Sequence, residues 1–126
     1  MSLIKKIDHL VITTSHIKEC LEFYQKLGFE VKDGLGRYEL FAGDFKINVH
    51  IKDRELEPYA KHVQPGSADL CFEVDDIISF EQLLNQQCIQ IELGIVDRYG
   101  VKGIMDSIYI RDIDGNLLEF SQYKKD

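Results

Sequence analysis

The sequence predicts an α+β fold: two tandem βαβββ modules forming a curved mixed sheet around a cleft, with the helices outside. Three observations carry this reading. Residues 9–31 laid over residues 69–91, an offset of 60, keep apolar positions on apolar positions without a gap. Leu10 meets Leu70, Ile12 meets Phe72, Ile17 meets Ile77, Phe23 meets Leu83, Phe29 meets Ile89 and Val31 meets Ile91. Each copy then passes from two-residue alternation, which marks a half-buried strand, to the 3.6-residue spacing of an amphipathic helix. Finally, turn residues divide the remainder of each copy into three short strands.

In the opening strand Ile7, His9, Val11 and Thr13 share one face, and Leu10 and Ile12 the other. Its mate alternates Leu70, Phe72 and Val74 against Asp69, Cys71 and Glu73. The first helix carries Ile17, Cys20, Leu21, Tyr24 and Leu27 on one stripe; the second carries Ile77, Phe80, Leu83 and Leu84. Ser15, and Asp75 or Asp76, suit the N-caps, because their oxygens accept the free amide hydrogens of a first turn. Gly28 marks the end of the first helix. Strands are then expected near 29–33, 37–42 and 45–51, with Gly34, Gly36 and Gly43-Asp44 as turns. In the second copy they are expected near 89–95, 106–111 and 117–123, with Asp114-Gly115-Asn116 turning the last pair. The stretch 96–105, with DRYGVKG in its middle, reads as a long loop without a counterpart in the first copy. This gives one domain over 1–126, with modules of about 5–51 and 68–123 and a connector 52–67 holding both prolines.

Composition narrows the function. With 15 Lys+Arg against 22 Asp+Glu the net charge is −7, which disfavours nucleic acid as a partner, since neutralising phosphates needs clustered cations. The 44% hydrophobic and 29% charged fractions are those of a globular protein rather than a disordered one. The apolar run near the N-terminus, residues 10–12, is too short for a signal peptide or a membrane span, so a cytoplasmic protein without membrane contact is expected. Cys20, Cys71 and Cys88 are too few for a disulfide framework, and each is expected as a small buried hydrophobe.

The polar residues inside predicted strands point to chemistry. His9, Asp69, His50 and Glu119 lie on four separate strands, where an unpaired imidazole or carboxylate is costly. Any one alone is readily explained by solvent or a local hydrogen bond. As a set they suit a first-row divalent metal: Ni, Mn, Zn, Fe or Co. On the fourth strand His50 is the chemically better ligand, whereas Asn48 is the better-registered mate of Glu119. His16 and His62 are expected on the surface. Arg37, Tyr38, Arg98, Tyr99, Ser107, Tyr109 and Arg111 can line the cleft; of these, Arg98, Tyr99, Tyr109 and Arg111 are the candidates for substrate binding, because arginine pairs with anionic groups. No phosphate-binding glycine pattern comes after a strand.

IDHLVITTSHIKECLEFYQKLGFEV at the start and IYIRDIDGNLLEFSQY at the end resemble the glyoxalase I, bleomycin-resistance and ring-cleaving dioxygenase group, the vicinal oxygen chelate superfamily. PGSADLCFEV further resembles a small glyoxalase-like branch of it, with some virulence-associated members. The resemblance implies a paired βαβββ fold with a metal in the cleft. His9 matches the first-strand ligand and Glu119 the last-strand ligand, while Asp69 stands where many members have histidine. It also implies a homodimer. The expected function is a divalent-metal-dependent lyase or isomerase acting on a small metabolite that chelates the metal through adjacent oxygens, with Glu119 or Asp69 moving the proton. The alternatives are an Fe(II) extradiol-type dioxygenase using His9, His50 and Glu119, and a metal-free small-molecule or drug-binding protein.

Overall fold

The structure is a computed structural model and describes residues 2–34 and 36–125. The chain divides after Pro65 into two compact units. The first contains β1 (His9–Thr14), α1 (Ile17–Lys26), β2 (Glu30–Gly34), β3 (Arg37–Ala42) and β4 (Phe45–Ile51). The second contains β5 (Asp69–Glu73), α2 (Ile77–Gln86), β6 (Leu93–Gly100), β7 (Gly103–Arg111) and β8 (Leu117–Tyr123). Each unit is βαβββ, and the two helices keep the 60-residue offset.

Each unit makes its own four-stranded mixed sheet, in the order β1-β4-β3-β2 and β5-β8-β7-β6. The first and last strands of each unit pair in parallel; the other neighbours are antiparallel. One face of each sheet is apolar and forms the core with its helix. In the first unit Leu40, Ile47 and Val49 are fully buried, along with Cys20 and Tyr24 from α1. The rings of Phe23, Tyr24, Phe29 and Phe45 run edge to face in sequence. In the second unit Leu84, Ile108, Ile110 and Leu118 are fully buried, and Phe120 stacks between Phe72 and Phe80. His9, Asn48 and His50 in the first sheet, and Ser107, Glu119 and Ser121 in the second, alternate onto the opposite face, where a ligand can be met.

Four details differ from the sequence reading. Residues 96–105 are not a loop: β6 and β7 pair through Arg98↔Met105, Tyr99↔Ile104 and Gly100↔Gly103, leaving only Val101 and Lys102 as the turn. Residues such as Val96, Tyr99 and Ile104 favour the ladder over a coil, while 89–92 lie before the strand. The N-cap of α1 is His16, which makes no side-chain cap; the Thr14 hydroxyl takes the His16 N–H instead, and Ser15 is not the cap. Asp76 caps α2 as expected, accepting from the N–H groups of Ile78 and Ser79. Of the cysteines only Cys20 is buried; Cys71 and Cys88 are exposed. Cys71 lies on the polar face of its strand. Cys88 occupies the mate position of Gly28, and both adopt positive φ after their helices, at +57° and +105°.

The D-x-D-G-N segment is a structural device. Asp112 accepts from the backbone N–H of Asp114 and Asn116 and from the Asn116 amide. Asn116 in turn takes the Ala68 N–H through its side-chain oxygen, at 2.8 Å, and ties the start of β5 to the start of β8. Gly66 runs so close to this turn that a Cβ there would lie 2.3 Å from the Asp114 carbonyl oxygen.

Candidate functional site

In the second unit Cys71, Glu119 and Tyr109 form one row across β5, β8 and β7, because the register pairs Cys71 with Glu119 and Glu119 with Tyr109. The next row pairs Ser121 with Ser107. These side chains share a face. The Glu119 Oε2 accepts from the Ser107 hydroxyl at 2.7 Å and lies 3.0 Å from the Ser121 hydroxyl. The two hydroxyls are 2.6 Å apart, and the Cys71 thiol is 3.4 Å from Ser121. Both serines are fully buried, whereas Glu119 is half-buried. The hydroxyl pair thus holds the carboxylate through Oε2, in the row it shares with Tyr109 and Cys71.

Tyr109 and Arg98 extend this face. The Arg98 Nε donates to the Tyr109 hydroxyl at 2.9 Å, and the guanidinium lies over the phenol ring, 5.3 Å from its centre. Burial pushes the Tyr109 phenol above its ordinary value; Arg98 opposes this and Glu119 adds to it. Tyr109 therefore keeps its proton at neutral pH and offers a hydrogen bond rather than a charge. The Cys71 thiol is likewise pushed up by burial and by the Glu119 charge, although Ser121 opposes, so it is a poor nucleophile.

The other predicted residues of this unit are placed differently. Asp69 is exposed on the same face as Glu119 but two residues along, about 7 Å by strand rise. Arg111 makes a two-pronged ion pair with Glu92, at 2.9 and 3.2 Å, and reaches the Gly115 carbonyl. Tyr99 is 83% exposed, and strand alternation turns it to the face opposite Arg98. Ser121 and Cys71 were missed in the sequence; both lay one two-residue step from assigned positions, Glu119 and Asp69.

In the first unit the register pairs His9 with Lys46, Val11 with Asn48 and Thr13 with His50. Asn48 therefore holds the position in its sheet that Glu119 holds in the other. It stands two residues from His9 along the shared face, about 7 Å, whereas His50 stands four residues away, about 13 Å. The His9 Nδ1 is 2.9 Å from the Asp8 carboxylate, which is itself held below the usual carboxylate range by that contact. An imidazole supported this way presents Nε2 outward, the arrangement common among metal-bound histidines. The Asn48 Oδ1 and the His50 Nδ1 are buried, with no hydrogen-bond partner among the described residues. Burial holds the His50 imidazole below its ordinary value, and the nearby Arg37 charge adds to this. Glu39, across from Asn48, is ion-paired with Lys46. His16 and His62 are exposed, as expected.

These donors suit a divalent metal by type: an imidazole nitrogen supported by a carboxylate, an amide oxygen without a partner, and a carboxylate anchored by hydroxyls. Among the described residues, no group of three or more His, Cys, Asp or Glu side chains converges as a ready-made cation site. No helix among them is long and apolar enough to cross a membrane.

The sequence profile of the Glyoxalase/Bleomycin resistance protein/Dioxygenase superfamily matches residues 6–120. The chain is 45% identical over 123 residues to the glyoxalase domain-containing protein RDO1 of Mycosarcoma maydis, covering 96% of this chain and 70% of that protein. It is 46% identical over 127 residues to the virulence protein STM3117 of Salmonella typhimurium, covering 96% and 86%. The crystal structure of STM3117 superposes with a TM-score of 0.94 at 44% identity, over 98% of this chain and 100% of that one. Lactoylglutathione lyase from Agrobacterium tumefaciens shares the fold, with a TM-score of 0.75 at 19% identity over 96% of each chain.

Proposed function

The chain belongs to the glyoxalase, bleomycin-resistance protein and dioxygenase superfamily, and from that premise we propose that it is a divalent-metal-dependent lyase or isomerase for a small metabolite bearing adjacent oxygens. The observation that carries this is the Glu119 carboxylate, mid-strand and pinned through Oε2 by Ser107 and Ser121. Hydroxyls that hold a half-buried carboxylate in one orientation pre-position its charge for a cation or a proton.

The residues that would hold the metal are His9 and Asn48 in the first unit and Glu119 in the second. Asn48 is preferred to His50 because the register brings it nearer His9, and because Arg37 beside His50 repels a cation. A bound divalent metal supplies Lewis acidity to the substrate oxygens. The protein residues supply the rest. Arg98 and the protonated Tyr109 offer a cation and a hydrogen-bond donor to the oxygen where negative charge develops. The hydroxyl pair fixes the orientation of Glu119, and Asp69, exposed on the same face, is the candidate base. Metal-free small-molecule binding is the second reading, favoured by the neutral Asn48 amide at the repeat mate of Glu119. We further propose a homodimer in the cytoplasm, for which sedimentation gives the oligomeric state.

Elemental analysis of untagged protein tests the reading. Stoichiometric Ni, Mn, Zn or Fe in the wild type, lost in His9→Ala and Glu119→Ala, supports it. Protein that carries no metal and cannot be loaded with any of the four leaves the binding role alone. Retention in Asn48→Ala with loss in His50→Ala reverses the choice between them.

A further inference from the structure

The first unit contains a cavity of about 360 Å³ at the start of β3, away from the His9 end of its sheet. Its lining includes two arginines, Arg37 and Arg54, and one acid, Asp33. Among the described residues, neither guanidinium forms an ion pair. Two guanidinium groups against one carboxylate give this pocket a local positive excess within a chain of net charge −7. The other cation-rich places in the fold carry a partner acid: Lys46 pairs with Glu39, Arg111 with Glu92, and Lys124 with Asp97 and Asp106.

The backbone builds this pocket. Arg37 opens β3 directly after Gly36, which adopts φ +80°. A Cβ at Gly36 would lie 3.0 Å from the Leu56 side chain, so the glycine lets Leu56 close against the turn as an apolar wall. Arg54 comes after β4 through a tight turn: its N–H donates to the Ile51 carbonyl at 2.9 Å, and Asp53 takes positive φ. Tyr38 and Ile51 line the same cavity. The result is a pocket with apolar sides and two guanidinium forks, at the small end of the range for small-molecule sites.

We propose that this pocket binds a small organic oxyanion, a carboxylate or phosphate carried on an apolar body, through Arg37 and Arg54. Guanidinium groups match planar carboxylate and phosphate oxygens in two-pronged geometry. The site is built from residues of the first unit alone, whereas Glu119 belongs to the second, and the site's occupancy does not depend on a metal.

Calorimetric titration with benzoate, phenyl phosphate and inorganic phosphate tests the proposal, paired with backbone amide NMR. Saturable binding of benzoate or phenyl phosphate is expected, tighter than inorganic phosphate because the apolar walls add to the contact. Amide shifts should cluster at 33–38 and 51–56. Arg54→Gln, an exposed change that leaves the core untouched, should weaken binding tenfold or more, as should Arg37→Gln. Raising the salt concentration should weaken it further. Glu119→Gln should bind these anions as the wild type does, which separates this site from the metal reading. Binding by neither organic anion overturns the proposal. So does unchanged affinity in the Arg37→Gln/Arg54→Gln double variant, or amide shifts confined to 107–121.

Discussion

The hydroxyl pair beneath Glu119 makes a quantitative prediction, because three protons must serve four contacts. Ser107, Ser121 and Cys71 have one hydrogen each, yet Ser107–Glu119, Ser121–Glu119, Ser107–Ser121 and Cys71–Ser121 are all within bonding reach. With Ser107 donating to Oε2, Ser121 has two acceptors for one proton, the Ser107 oxygen at 2.6 Å and Oε2 at 3.0 Å, and the shorter contact takes it. In Ser107→Ala, the Ser121 proton turns to Oε2 and the carboxylate keeps a donor. In Ser121→Ala, Ser107 keeps its bond to Oε2. Each single variant therefore loses in essence one neutral hydrogen bond, about 1 kcal/mol. The double variant also loses the bond to the charged oxygen, worth about 1.5–3 kcal/mol. It should cost about 3 kcal/mol, roughly 1 more than the sum of the singles. For a chain of this length 1 kcal/mol corresponds to about 4 °C in Tm. Urea and thermal unfolding of the wild type, both singles and the double close the cycle, and repeating it in Glu119→Gln should abolish the coupling. A double variant equal to the sum of the singles within about 0.5 kcal/mol would refute the shared-acceptor argument.

Two further outcomes are expected. Cys88→Gly should raise stability by about 0.5–1 kcal/mol, because glycine carries no Cβ penalty at positive φ, as at the mate Gly28; an unchanged or lowered Tm contradicts this. His50 is held below the ordinary imidazole value of about 6.5, so its contribution to stability is complete above that pH and is lost as pH falls through the lowered value. The urea midpoint of the wild type should therefore drop more between pH 7 and pH 5 than that of His50→Asn; parallel curves would remove His50 as the cause.

Much of this architecture was legible in the residues. The 60-residue offset, the stripe from Ile17 to Leu27 and the alternation around His9 and Glu119 are local patterns, so they foretold both helices, most strands and the polar face. The hairpin over 93–111 was not legible, because glycines and charges in DRYGVKG imitate a loop unless the partner strand is known. The cap of α1 was misplaced by one residue for a similar reason: Ser15, His16 and Thr14 differ as caps only through backbone direction.

By itself, then, the sequence determined the repeat, the helix faces and which polar residues share a sheet face, since these come from periods of 2 and 3.6 along one chain. Only the tertiary structure decided what those residues meet. Strand register put Asn48 rather than His50 nearer His9, and set Ser107, from another strand, under Glu119. It also occupied Arg111 with Glu92, and set Arg37 and Arg54 around one cavity. Such pairings join residues far apart in the chain, and their geometry comes from hydrogen-bonded ladders and turns that no local pattern encodes.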